Sequence, residues 1–241
     1  MNIVYIVKNS PENNSEELRY SLRSLENIPH DKVILVGEKP DWARNVTHVA
    51  VAQSDTKHVN WARNMATAAL SDQVSDEFLM MNDDFFIMKA VQKMPALHFG
   101  YMRDVIACYE ERYPEGSDYI ARMKLLYELL VAKDSHEPIS YELHTPMVLS
   151  KKNVRSMYEK SNGPLYQFRT YYGNMFNVGG TAVADVKIFK DPIHNDSLFN
   201  ENPLRYLQHM TFLSTTGGSF KAGVAGDYVR NSFTKKSKYE A

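Results

Sequence analysis

The chain has 241 residues, 44% of them apolar, with 28 basic against 29 acidic side chains and a formal net charge of −1. That length is enough to bury a sizeable core, and the near-neutral balance gives no global field for a nucleic acid or an anionic membrane. No apolar run reaches the roughly 18–20 residues of a membrane span, the opening Met-Asn-Ile-Val-Tyr-Ile-Val-Lys is too short and too β-branched for a signal peptide, and the single cysteine, Cys108, excludes an internal disulfide. A reducing cytoplasm is therefore the expected compartment.

In chain order, Ile3 to Val7 is a β-branched run that breaks at Asn9-Ser10-Pro11, and Glu16 to Leu25 carries Leu18, Leu22 and Leu25 at helical spacing. Val33 to Val36 reads as a second strand stopped by Gly37, and Val46 to Val51 as a third. Trp61 to Leu70 is an Ala-rich helix, and Phe78 to Met81 is a fourth strand. Strands alternating with helices predict an α/β fold with a mostly parallel sheet flanked by helices. From about 100 to 135 the character changes, and Tyr119, Met123, Leu126 and Leu130 fall on one helical face, which predicts a helical insertion in one domain over 1–241. Val-Ile-Ala-Cys108-Tyr reads as a buried helix face. Ile139 to Leu143 is strand-like, Ser150 caps a helix running to Lys160, Leu165 to Phe176 is rich in aromatics, and Thr215 to Ala241 is rich in Gly, Ser and Lys.

The most informative stretch is Phe78 to Met88, where Asn82, Asp83 and Asp84 interrupt an otherwise almost wholly apolar run. An ionised carboxylate taken out of water without a partner costs several kcal/mol or shifts its pKa, so the charges must emerge where the strand ends. Ligands of open α/β sheets bind at the carboxyl ends of strands, and two close carboxylates there suit a hard divalent cation that holds a diphosphate. That chemistry belongs to a nucleotide-sugar transferase. The plainer alternative is a pair of Asp residues capping the next turn; the apolar flanks on both sides favour an interior edge.

Other candidates are individually weaker. The loop from Lys8 and Asn9 is polar and Gly-free and follows the first strand where nucleotides rest in such sheets, but it lacks the glycine spacing of a dinucleotide fingerprint. Arg19 and Arg23 lie four apart on one helix face, placed either to grip phosphate oxygens or to pair with Glu16 and Glu26 in water. His144, beside Thr145-Pro146 and two residues after Glu142, is either a base for an acceptor hydroxyl, a metal ligand or a structural imidazole bonded to backbone carbonyls. Arg169 sits among aromatics before Gly173-Asn174, a mix that suits a sugar or a base near a fixed charge, or a core. Lys235, Lys236 and Lys238 make the tail basic and read as solvated; with Lys151, Lys152 and Arg155 they allow a local stripe for a nucleic-acid acceptor.

Taken together, Ile-Val-Tyr-Ile-Val, Glu17-Leu-Arg-Tyr-Ser-Leu-Arg-Ser-Leu25, Pro40-Asp41-Trp42, Asn82-Asp83-Asp84-Phe85-Phe86 and His144-Thr145-Pro146-Met147 resemble the Stealth family of capsule polysaccharide phosphotransferases, and the chain also looks like the compact glycosyltransferases of bacteriophages. The resemblance runs from Ile3 to about Asn177 and is densest over 16–25 and 78–90. It implies a GT-A-like core, a uridine-type sugar donor (UDP-sugar), and Mn2+ or Mg2+ near Asp83 and Asp84. Carried over, Asn82, Asp83 and Asp84 hold metal and diphosphate, Arg19 and Arg23 lie near the donor, and His144 and Arg169 stand by the reacting centre. The chain departs from the Stealth pattern after its first strand, where Val7-Lys-Asn-Ser-Pro-Glu12 lacks an expected acidic residue. That departure tilts the expectation from sugar-1-phosphate transfer toward plain glycosyl transfer to a carbohydrate or other hydroxyl acceptor, a modified DNA base among them. A metal-dependent phosphohydrolase and a non-catalytic carbohydrate- or nucleotide-binding module are the readings from other classes.

Overall fold

The computed structural model describes residues 1–8, 14–53, 56–133, 137–160, 166–189 and 197–241. In chain order the elements are β1 (Asn2–Val7), α1 (Glu16–Ser24) followed by a single 3-10 turn, β2 (Val33–Gly37), β3 (Thr47–Ala50), α2 (Lys57–Leu70), β4 (Glu77–Asn82) and β5 (Phe85–Ile87). They continue with β6 (Leu97–His98), β7 (Gly100–Tyr101), α3 (Met102–Arg112), α4 (Asp118–Val131), β8 (Ile139–Ser140), β9 (Met147–Ser150), α5 (Lys151–Glu159), α6 (Phe168–Met175) and β10 (Thr181–Ala182). The last are β11 (Lys187–Ile188), α7 (Ser197–Glu201), α8 (Pro203–His209), β12 (Phe212–Thr215), α9 (Gly217–Ala222) and α10 (Val224–Ser232). The chain divides into two compact units: Met1–Met94 with His144–Lys152 and Val186–Ala241, and Pro95–Leu143 with Asn153–Asp185.

The first unit is a mixed α/β body whose five-stranded sheet has the order β3-β2-β1-β4-β9. All pairs but the last are parallel, with Ile3 opposite both Val33 and Leu79, and β9 closes the edge antiparallel to β4. β1 and β2 are buried along their whole length, as continuous β-branched runs in the middle of a parallel sheet should be, whereas β3 alternates between half-buried and exposed residues, as an edge strand does. The order reverses at β1: the chain crosses to β2 through α1 on one side and returns to β4 through α2 on the other. The carboxyl ends of β1 and β4 therefore flank the switch point where such sheets open a crevice.

α1 is held by two serines of its motif, one against β1 and one against β5. Ser21 Oγ lies 2.9 Å from the Tyr5 hydroxyl, and Ser24 Oγ accepts from the Ile87 backbone N–H at 3.1 Å. A second sheet, β11-β12-β5, carries a core of Phe86, Ile188, Leu213, Phe220 and Val229, in which the Phe86 and Phe220 rings stack with centroids 5.7 Å apart. Such a pair adds about 0.5–1.5 kcal/mol beyond the area it buries.

The C-terminal stretch meets the expectation of a solvated tail only in part: Lys235, Lys236 and Lys238 are exposed, but the chain around them is docked. Tyr239 is buried with its hydroxyl 2.6 Å from His30 Nε2, and the Ala241 N–H donates to Trp42 O at 2.9 Å. The stripe of basic residues is broken as well, since Lys151 is buried with Nζ donating to Val74 O at 2.9 Å.

In the second unit, α3 and α4 pack through Val105, Ile106, Ile120 and Met123, with Met102, Leu126 and Leu130 forming a further cluster. Tyr119, expected on the buried face, stays 40% exposed, because it lies in the first turn of α4 with its ring against Tyr109. Cys108 is exposed too, since the buried stripe of α3 runs through Met102, Val105 and Ile106 and leaves it on the opposite side. Asn174 on α6 pairs with both backbone groups of Ile139, accepting from its N–H at 2.8 Å and donating to its carbonyl at 2.7 Å, as a neighbouring strand would. The strand expected over 139–143 is confined to Ile139–Ser140, and the Tyr141 N–H goes instead to the Thr170 side chain at 3.0 Å.

Candidate functional site

Asp83 and Asp84 form the turn that joins β4 to β5, one strand in each of the two sheets of the first unit. Both flanking strands are buried, which is why the apolar run brackets the acidic pair. The turn opens into a cavity of about 560 Å³ that is also lined by Ile6, Val7 and Lys8 at the end of β1. This is the switch-point crevice, and its size falls within the roughly 300–1,000 Å³ usual for small-molecule sites.

The acidic wall contains a third carboxyl, Glu17 of α1, whose Oε1 accepts from Thr215 Oγ1 at 2.9 Å. Lys187 on β11 answers Asp84, with Nζ 2.6 Å from Oδ2 and side chains 13% and 19% exposed, and Ser214 Oγ adds a longer contact of 3.4 Å. Asp83 has no such ammonium against it in the described residues. Burial, then Asp84, then Glu17 push its carboxyl from 3.8 up to about 7. Burial also raises Glu17, opposed by the Thr215 hydrogen bond. Asn82 completes the group; its Oδ1 is buried and accepts no hydrogen bond among the described residues. His144, at the start of the segment leading into β9, lines the same cavity, with its ring edge-on to Phe85 at 6.4 Å and to Phe189 at 6.3 Å.

The other wall comes from α2. Lys57, Asn60, Trp61 and Asn64 line the cavity at positions i, i+3, i+4 and i+7, one face of the helix, while Met65, Ala68 and Ala69 are buried in the core. Gln53, from the connection after β3, joins them. None of these residues is among the sequence-derived candidates, nor are Glu17 and Lys187. The α2 face had a usable signal, namely polar and aromatic residues recurring at helical spacing within an Ala-rich segment. Lys187 had none, because its partner lies 103 positions away.

Of the sequence-derived candidates, the fold brings Lys8, Asn82, Asp83, Asp84 and His144 to one cavity. Asn9 lies outside the described residues. Arg19 and Arg23 do not line the cavity and do not pair with Glu16 and Glu26. Both converge on Glu240, at 3.3 Å and 2.8 Å, and the Glu240 side chain is fully buried there. Arg23 further donates to Phe233 O at 2.8 Å, and the Arg19 guanidinium lies 4.2 Å above the Trp42 ring. Their spacing thus serves to dock the C-terminus, and Glu16 is taken instead by Arg230 at 3.1 Å. Burial alone would raise the Glu240 carboxyl, but the Arg23 guanidinium and the Ser237 N–H more than offset it and hold it below its ordinary range. Arg169 belongs to the second unit, where it is buried and donates to Leu143 O; Glu142, in the same unit, accepts from the Thr170 N–H at 3.0 Å.

Among the described residues no group of three or more His, Cys, Asp or Glu side chains is arranged to hold a metal ion. The acidic turn nonetheless fits a hard cation of the kind bound by one or two carboxylates together with substrate phosphates, because Asp83 presents an oxygen-donor carboxyl to the cavity with no ion-pair partner among the described residues, the Lys57 charge opposing its upward shift only weakly. No helix of the described residues is long and apolar enough to cross a membrane.

No protein-family model matches the chain, and no curated protein sequence matches it. The resemblance to the Stealth proteins therefore stands on its motif blocks alone. Among solved structures, the chain is similar to an active-site mutant of LgtC, a GT-A glycosyltransferase, at 11% identity and a TM-score of 0.49, over 99% of this chain and 98% of that one. A likeness at that level carries no weight for activity, and the functional reading rests on the cavity.

Proposed function

We propose that the chain is a nucleotide-sugar-dependent glycosyltransferase that moves a sugar from a uridine-type donor to an acceptor hydroxyl, with Mn2+ or Mg2+ accompanying the donor's diphosphate. The observation that carries this reading is the charge pattern at the β4–β5 turn: Asp84 is paired with Lys187, while Asp83 has no ion-pair partner among the described residues and is pushed up to about 7 in spite of the Lys57 charge. A diphosphate with its cation supplies both halves of what such a turn favours, positive charge for Asp83 and oxygen ligands to complete the coordination.

In this mechanism Asp83, with Asn82 beside it, would hold the cation, whose contribution would be to offset the negative charge of the diphosphate leaving group. Lys187 holds Asp84 in place through their ion pair, and Lys8 and Lys57 add fixed positive charge around the phosphates. The acceptor oxygen attacks the anomeric carbon, the bond from that carbon to the diphosphate oxygen breaks, and the nucleoside diphosphate departs with the bonding pair. His144 takes the proton of the acceptor hydroxyl; Phe85 and Phe189 hold its ring edge-on.

The test is to incubate the protein with a panel of uridine and guanosine sugar donors plus manganese or magnesium and identify the released nucleotide. Nucleoside diphosphate is the expected product. Nucleoside monophosphate would assign the sugar-phosphate transfer implied by the Stealth-like blocks, and donor binding by thermal shift with no release under any condition would assign a binding module.

A further inference from the structure

On the other side of β1 from the acidic turn, the cavity wall is made of amides. Gln53 Nε2 donates to Val51 O at 2.7 Å and to Asn64 Oδ1 at 3.2 Å. A carbonyl oxygen accepts and does not donate, so Val51 O settles which way round the Gln53 amide sits. The nitrogen turns back to the backbone. That leaves Oε1, which is buried and accepts no hydrogen bond among the described residues, a costly condition for a polar atom inside a protein. Gly37, at the end of β2, allows Asn64 to come so close: its φ is +111°, and a Cβ there would lie 2.3 Å from Val7 O and 2.6 Å from Asn64 Nδ2. The amide pair thus rests over the ends of β1 and β2, two strand spacings or roughly 10 Å from the end of β4, the reach of a nucleoside between its base and its phosphates.

Resting on the donor reading above, we infer that Gln53 determines specificity for the nucleoside half of the donor. Its Oε1 accepts a hydrogen bond from a donor group that the nucleoside brings, either the imide N–H of a uracil ring or a ribose hydroxyl. Asn64 is the positioning residue that holds the Gln53 amide in this orientation, and Trp61, three residues earlier on the same face of α2, lines the same cavity. The acceptor-only character is the selective element: a nucleoside with no hydrogen at that point leaves Oε1 unmet.

The experiment is calorimetric titration of uridine diphosphate with manganese into the wild-type chain and into Gln53→Met, which keeps the length of the side chain and removes the acceptor. Both proteins are also titrated with three analogues, methylated at the imide nitrogen, lacking the ribose 2′-hydroxyl or lacking the 3′-hydroxyl. Gln53→Met is expected to weaken uridine diphosphate about tenfold, the scale of one buried hydrogen bond, while manganese pyrophosphate binds both proteins alike. The analogue missing the group that meets Oε1 should lose about as much on wild type and nothing further on the variant, which tells the base from the ribose. The analogue arm on wild type does not depend on how well the variant folds. Equal affinity of wild type and Gln53→Met for uridine diphosphate, or analogue losses identical in the two proteins, would overturn the assignment to Gln53 alone. No binding of uridine diphosphate by wild type would overturn the donor reading with it.

Discussion

Replacing Asp83 by Asn should make the protein more stable at neutral and alkaline pH while abolishing donor turnover. The folded state holds the Asp83 carboxyl up to about 7 against an ordinary 3.8, because burial, Asp84 and Glu17 disfavour its ionised form. Between those values the folded protein keeps a proton that the unfolded chain has released. Stability therefore falls as pH rises through this window and levels off above about 7. At about 1.4 kcal/mol per pH unit the displacement corresponds to about 4 kcal/mol. Asp83 retains some solvent exposure, so that figure is a ceiling and screening brings the expected gain of the variant nearer to roughly 2 kcal/mol. Asn cannot titrate, so the variant and wild type should differ little near pH 4 and most near pH 8, as read by urea unfolding at each pH. Manganese added at the higher pH should stabilise wild type and leave the variant unmoved. A difference between the two proteins that is the same at both pH values would refute the reasoning.

Lys187→Met should cost about 2–3 kcal/mol, between an exposed and a fully buried ion pair, because it strands Asp84 beside Asp83 and Glu17. Adding Asp84→Asn should recover most of that loss, and melts of the four proteins in a double-mutant cycle check it; additive effects would remove the pair from the account. Glu240→Ala should destabilise by about 3 kcal/mol, since it leaves the Arg19 and Arg23 guanidiniums facing each other under the chain end. Thermal unfolding reads this directly, and a loss below about 0.5 kcal/mol, the level of an ordinary surface change, would show that the tail is not docked through this residue.

The parts of this protein legible in its sequence are those fixed by neighbours along the chain. Ile3–Val7 and Phe78–Met81 announce buried strands because a continuous β-branched or apolar run has no solvent face to offer. Asp83 and Asp84 had to stand at a strand end because ionised carboxylates are not held inside one. The interval of Leu18, Leu22 and Leu25 marks α1 for the same local reason. What chain order could not supply is the partner of each charge. Arg19 and Arg23 have the spacing of a phosphate clamp, yet they meet Glu240, more than two hundred positions on, while Asp84 meets Lys187 and Glu17 meets Thr215. A charge is neutralised by whatever folding brings within a few ångströms, and that is set by how sheets and helices stack, so the sequence alone located the acidic turn and the tertiary structure alone decided which cations, amides and rings surround it.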